Sequence, residues 1–209
     1  ASPVFYVSHN DQIVAELTPY LEKKKNSTPS SEHSKAPLLM SQSVALPAGR
    51  TLFIDRPLAF DGAGQSLTFA RSTQPQLVIT KNGSLTLTNI TLKDIGALTI
   101  KLEAGARLCL GDGVRCEFHE DVTFSAGTIA LVGDVSVVEW VGVGGMHTVH
   151  FPTVAPYATL QLGLASLCLH NLHLQGTDHI SAATLAGRDE TRIGSLALCG
   201  NAGLGIDTD

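Results

Sequence analysis

Charge is scarce in this sequence. Lys, Arg, Asp and Glu make up only 16% of its 209 residues, against the roughly 25% usual in soluble domains. With 44% hydrophobic residues, the chain reads as packed rather than disordered. Fourteen Lys and Arg stand against nineteen Asp and Glu, a formal net charge of -5. No basic stripe or arginine cluster is present to neutralise a phosphate backbone, which argues against nucleic acid as a partner. Aromatics reach only 5%, with one Trp and three Tyr, too few for stacking platforms that grip single strands or sugars. The four cysteines, Cys109, Cys116, Cys168 and Cys199, form no C-x-x-C pair and have no His at zinc-finger spacing, so a structural zinc site is disfavoured. Their even count leaves disulfides open in a secreted protein. Cys109 and Cys168, each between two leucines, read better as small packing residues.

A membrane span is missing as well. From Trp140 to Thr177 there is no Asp, Glu, Lys or Arg, but the stretch holds Gly142, Gly144, Gly145, Pro152, Pro156 and four histidines. A spanning helix needs roughly 20 mostly apolar residues in succession. The alternation here reads instead as strands with an uncharged outer surface. The opening Ala1-Ser2-Pro3 has no charged-then-apolar leader and reads as a mature or trimmed terminus.

Two units are present, divided near residue 37. In residues 1–36, the stretch 10–25 reads as a short amphipathic helix. Asn10 suits its cap, Ile13, Val14, Leu17 and Leu21 recur at helical spacing, and Lys23, Lys24 and Lys25 suit its negative end. Pro19 should kink it. Asn26 to Lys35 is small, polar and Pro-containing, the signature of a linker. Over 37–209 the period changes to two. Val44/Leu46, Leu52/Ile54, Leu58/Phe60, Leu67/Phe69, Leu77/Ile79, Leu85/Leu87, Leu98/Ile100, Leu108/Leu110, Ile129/Leu131, Val135/Val137, Leu160/Leu162 and Leu196/Leu198 each read as two apolar side chains on one strand face. So many short strands imply an all-β fold.

An internal repeat sharpens this. Residues 85–92 (LTLTNITL) and 167–174 (LCLHNLHL) share L-x-L-x-N-[IL]-x-L. Apolar parity shifts by one just after Asn89 and Asn171, as when one inward-facing strand turns a tight corner into another. Asn tolerates the left-handed conformation such a corner needs. The copies lie 82 residues apart, which divides into three or four turns of the roughly 20 to 30 residues found in solenoid coils. Stacked coils follow, seven to nine of them over 37–209. Asn89 and Asn171 are either members of an internal amide ladder or ordinary turn asparagines.

With the segment Asp61-Gly62-Ala63-Gly64-Gln65-Ser66-Leu67-Thr68-Phe69, these repeats and the short helix before them resemble the right-handed parallel β-helix superfamily. That superfamily includes pectate-lyase-like enzymes, phage tailspikes, autotransporter passengers and polymorphic outer-membrane proteins. The resemblance covers about residues 37–209 and implies a right-handed parallel β-helix, or β-solenoid, with a short N-terminal helix capping its open end. Its motifs identify a fold more than an activity. The family's hydrolases carry N-x-D, Asp-Asp, Gly-His-Gly and Arg-x-Lys, and none of these occurs in this sequence. No cofactor motif is present.

The acidic cluster Asp112, Glu117, His119, Glu120 and Asp121, with Arg115 nearby, offers two readings. Two carboxylates about 5 to 9 Å apart across a groove would serve as acid and base on a glycan; a solvated outer edge is the ordinary reading of charges on outward strand positions. His147, His150, His170, His173 and His179 are metal-ligand types, but His170 and His173 occupy the repeat positions of Thr88 and Thr91, outward places that hold hydroxyls equally well. The threonines at 86, 88 and 91 do not recur coil after coil as an ice-binding array would, and strand propensity accounts for them.

What remains is the charge-free span. Charges on outer strands normally keep β-proteins apart, so their absence implies a covered surface, with Thr159, Gln161, His170 and His173 as interface candidates. The expected function is a non-enzymatic structural, adhesion or interaction module, extracellular or on the cell surface, that packs against another protein or against copies of itself as an oligomer or filament. The alternative is a carbohydrate-binding or polysaccharide-cleaving β-helix, which requires carboxylates and aromatics such as Trp140, Phe151 and Tyr157 to share one outer groove.

Overall fold

A computed structural model describes residues 37–152, 158–176, 195–199 and 203–206. Three short strands make one coil. The first coil holds β1 (Leu38–Leu39), β2 (Val44–Ala45) and β3 (Leu52–Ile54); the second holds β4 (Pro57–Asp61), β5 (Ser66–Thr68) and β6 (Leu77–Ile79). The third holds β7 (Ser84–Thr88), β8 (Thr91–Ile95) and β9 (Ile100–Leu102); the fourth holds β10 (Arg107–Leu110), β11 (Arg115–Phe118) and β12 (Val122–Thr123). The fifth holds β13 (Thr128–Leu131), β14 (Val137–Gly142) and β15 (His147–Phe151), and the sixth β16 (Thr159–Gln161), β17 (Ser166–His170) and β18 (Leu172–Gly176). After them come β19 (Ser195–Cys199) and β20 (Gly203–Ile206).

Corresponding strands pair in parallel, coil on coil, and the chain is a parallel β-solenoid of about 5 turns. Face one runs β1-β4-β7-β10-β13-β16 and face two β2-β5-β8-β11-β14-β17-β19. Face three is in two pieces, β3-β6-β9 and β12-β15-β18-β20. No helix occurs among the described residues. The expected cap at 10–25 and linker at 26–35 lie outside them. The described residues make about 5 turns, and the seven to nine expected over 37–209 include residues outside them.

The period-two pattern fills the interior. On face one Leu58, Leu85, Leu108, Ile129 and Leu160 stand in cross-strand register. On face two the inward column is Leu67, Leu92, Cys116, Trp140 and Leu169. From Leu85 onward the face-one column is at most 3% exposed, as are Leu92, Trp140 and Leu169 on face two. Each such side chain contributes roughly 1.5 to 3 kcal/mol by leaving water.

Two of the expected inward pairs are corrected. Leu98 is 53% exposed, and the inward pair is Ile100 and Leu102. A tight turn resets the phase: Thr99 donates its N–H to the Gly96 carbonyl (3.2 Å), and its hydroxyl accepts from the Gly96 N–H (2.8 Å). Val135 and Val137 are likewise exposed, while Val138 and Trp140 point inward. There the Asp112 carboxylate takes the Val137 N–H (2.9 Å) and fixes where β14 starts.

Asn89 and Asn171 are left-handed, at φ 48° and 53°. Their neighbours Leu87, Ile90, Leu169 and Leu172 are all buried, so parity shifts across each asparagine as the repeat requires. The two copies are nevertheless not at equivalent positions. Asn89 turns face one into face two (β7 to β8), whereas Asn171 turns face two into face three (β17 to β18). The 82-residue spacing is three coils plus one corner. Gly142 lies under the second corner, and a Cβ there would fall on the Asn171 carbonyl oxygen.

Asn89→Ala and Asn171→Ala are each expected to cost about 1 to 2 kcal/mol, the penalty of a left-handed residue with a plain Cβ, with the Gly variants losing less. Gly142→Ala should exceed both, since backbone must move. Urea unfolding of the full chain, compared across the five variants, gives the order.

Candidate functional site

The acidic cluster is spread over three places. Asp112 lies at the corner after β10, where its side chain takes the Val137 N–H and its carbonyl accepts the Asn89 N–H (2.9 Å). Glu117 points outward on face two, opposite in parity to the buried Cys116 and Phe118. Arg115 joins it through Nε (3.0 Å) and reaches Glu139 of the next coil through Nη1 (2.8 Å). Burial disfavours the Arg115 charge, but hydrogen bonds to both carboxylates outweigh that and raise its pKa above the ordinary value. Glu120 and Asp121 sit beyond β11 at the next corner. Glu120 Oε2 accepts the Ala97 N–H of the preceding coil (2.9 Å), and Asp121 Oδ1 accepts the Thr148 N–H of the following one (2.8 Å). His119 Nε2 is 3.5 Å from Glu120 Oε1, and its ring is only 10% exposed.

These carboxylates therefore work as staples between coils. Each takes up a backbone N–H or a guanidinium that the irregular corners and outer face leave available, which satisfies groups that the sheets do not. Glu103 does the same for the Lys81 N–H (3.2 Å). No group of three His, Cys, Asp or Glu is placed to hold a metal ion among the described residues.

The aromatic requirement of a glycan groove is also unmet by the residues that the structure describes. Trp140 and Phe151 are 1% and 0% exposed, inside the solenoid. Trp140 lies edge-on to Phe118 (5.7 Å), and Phe151 packs on Phe124 (5.6 Å). Tyr157 lies outside the described residues, as does His179.

Asn89 and Asn171 each reach a neighbouring coil, by separate routes. Asn89 Nδ2 approaches Asp61 Oδ1 at 3.5 Å, and Asn171 Nδ2 donates to the Gly145 carbonyl at 3.0 Å. They share no column. The interface candidates stand on all three faces: Thr159 and Gln161 on face one, His170 on face two, His173 on face three.

Cys109, Cys116 and Cys168 are not disulfide-bonded. Cys116 belongs to the inward column, and burial pushes its pKa up to about 12. It is a packing residue.

Two cavities lie wholly among the described residues and bear on the site. One, about 360 Å³, follows the corner between faces one and two and is lined by Asp61, Ala63, Asn89, Thr91 and Gly113. The other, about 400 Å³, opens on face three beside Leu98, Ile100, Lys101, Leu102 and Phe124. None of the acidic cluster lines either. The face-three opening has no signature in the sequence: the pattern there reads Leu98/Ile100, and nothing marks where one sheet stops and the next begins.

Two outcomes follow from the ionisable groups. Cys116 should resist maleimide at pH 7 in the folded chain and react on unfolding, while half-buried Cys168 labels before it; mass spectrometry of the modified peptides reads this. The bond from Ala97 holds the Glu120 pKa below its ordinary 4.5. A depressed folded-state pKa means that this contribution is complete above about 4.5 and is lost as pH falls through the lower folded value. Glu120→Gln should therefore flatten the acid side of the stability-against-pH curve and leave its shape above pH 6 unchanged. The effect is small, because the side chain is 53% exposed and screened.

No protein-family model, no curated protein and no solved structure matches this chain.

Proposed function

We propose that this chain is a non-enzymatic structural or adhesion module, acting outside the cell or at its surface, that packs against copies of itself through the uncharged outer surface of its later coils. Within that proposal the solenoid is right-handed and of the pectate-lyase-like and autotransporter-passenger-like kind. Parallel crossovers are right-handed in about 98% of cases.

One observation supports association above the others. The uncharged span from Trp140 to Thr177 covers outward positions of all three faces: Thr159 and Gln161 on the first, Cys168 and His170 on the second, His150, His173 and Gln175 on the third. It forms a collar around the solenoid rather than a stripe along it. The earlier coils carry their charges outward at Lys81, Lys93, Lys101, Arg107 and Glu117. Val143 and Met146, 44% and 47% exposed, add apolar surface at one corner of the collar. Outward side chains are covered by side-to-side contact, and the collar offers such contact on all three faces. A polysaccharide-cleaving β-helix is disfavoured, since Asp112, Glu120 and Asp121 are committed to stapling coils and Trp140 and Phe151 point inward.

Light scattering on the eluting full chain tests this. Concentration-dependent oligomers are expected, and Thr159→Lys with Gln161→Glu should reduce them by an order of magnitude in apparent association constant, at unchanged circular dichroism. A monodisperse monomer at millimolar concentration would refute it.

A further inference from the structure

Four of the six exposed large apolar side chains among the described residues lie within 135–146: Val135, Val137, Val143 and Met146. Three of them follow one line. Along β14 the buried residues are Val138, Trp140 and Gly142, so Val137, Glu139 and Val141 point outward from face two in a row. Val135 stands just before that row, 90% exposed, and Val143 just beyond it. The Val143 N–H still donates to the Phe118 carbonyl (2.8 Å), which carries the ladder one residue past β14. Strand propensity alone favours valine; the neighbours of the row are what make it specific.

The strands on its two sides differ. In β11, Arg115 is in register with Glu139 and Glu117 with Val141. In β17, Cys168 is in register with Glu139 and His170 with Val141. All four point outward, by the parity of the buried Cys116, Phe118, Leu167 and Leu169. Across face two the columns therefore read Glu117, Val141, His170 and Arg115, Glu139, Cys168.

A valine row with an acid on one side and an imidazole on the other is complementary to itself. A half turn about an axis along β14 brings a second copy face to face with the first, the sheets about 10 Å apart. Strand direction is kept and coil order reversed, so β11 of each copy lies over β17 of the other. Val137 then meets Val137, Val141 meets Val141, and Glu117 of each copy meets His170 of the other. The two Glu139 carboxylates meet on the axis between two Arg115 guanidiniums, one from each copy, so the centre is neutral. Arg115 is bonded to its own Glu139 (2.8 Å) and remains 41% exposed. Around that axis β8, β11, β14, β17 and β19 overlap, roughly 24 Å at 4.8 Å per strand, and the row from Val135 to Val143 is roughly 26 Å at 3.3 Å per residue. The contact is about 600 Å² per partner against about 800 Å² in stable complexes, so pairing depends on concentration.

We infer that face two of the later coils is where two copies of this chain pair, β14 against β14 with coil order reversed. The inference rests on the self-packing proposed above and assigns it a face and a register.

Sedimentation equilibrium of the full chain measures the pair, with circular dichroism as the check on folding. His170→Glu sets an acid against Glu117 at two places and should weaken pairing about three- to tenfold, the worth of two exposed charge contacts. In a Glu117→Gln background the same change should have little effect. Within one chain these side chains are two strands apart, roughly 10 Å, so a merely structural effect would not depend on Glu117. Val137→Lys should remove the pair by setting each lysine against its own copy. All three positions are outward, so the variants fold. Equal loss from His170→Glu with and without Glu117 would overturn the inference. So would association that survives His170→Glu and Val137→Lys but is lost in Thr159→Lys with Gln161→Glu; self-packing would then stand on another face and the valine row would serve a different partner. A chain that stays monomeric at every concentration overturns both.

Discussion

A single coil of this chain cannot bury its own apolar edge; only the parallel ladder to the next coil does so. Each inward leucine, valine or isoleucine is enclosed by the residues one coil above and one below, as Leu85 is by Leu58 and Leu108. Spacing of about 4.8 Å between strands makes that enclosure tight. Stability therefore accumulates coil by coil through neighbour contacts. The corners exist to keep that register. Asn89 and Asn171 spend a left-handed backbone to let both flanking residues face inward.

The same constraint explains where the scarce charge resides. Corners expose backbone N–H groups that the faces do not pair, and Asp112, Glu120, Asp121 and Glu103 each take one from an adjacent coil. A cluster resembling catalytic equipment in the sequence is a set of staples in space. With carboxylates so employed in the middle coils, the later ones retain an outer surface of hydroxyls, amides and imidazoles. The proposed association rests on that collar.

Much of the fold is legible in the sequence, because its two strongest signals are local. Period-two alternation places Leu52, Ile54, Leu77 and Ile79 inside, and the repeat identifies its own corners from the parity change after each Asn. Phase fails at Leu98 and Val135, where a hydrogen bond accepted by the Thr99 hydroxyl or the Asp112 carboxylate resets the strand in a way alternation does not encode. The assignment of the two repeats to one corner fails for a related reason: a solenoid with three similar corners allows the same motif at any of them. Of the site, the outward parity of Glu117 is legible, but the partners of the acidic side chains depend on which residues stand one coil away. The break between β9 and β12 is a tertiary event with no local signature.

Association through the collar is most directly tested by electron microscopy of the purified chain at rising concentration. Particles that join side by side at their later coils are predicted, since the collar presents outward side chains while β19 and β20 occupy the strand edges beside it. Single particles at every concentration, or particles that only lengthen along the solenoid axis, would contradict the account.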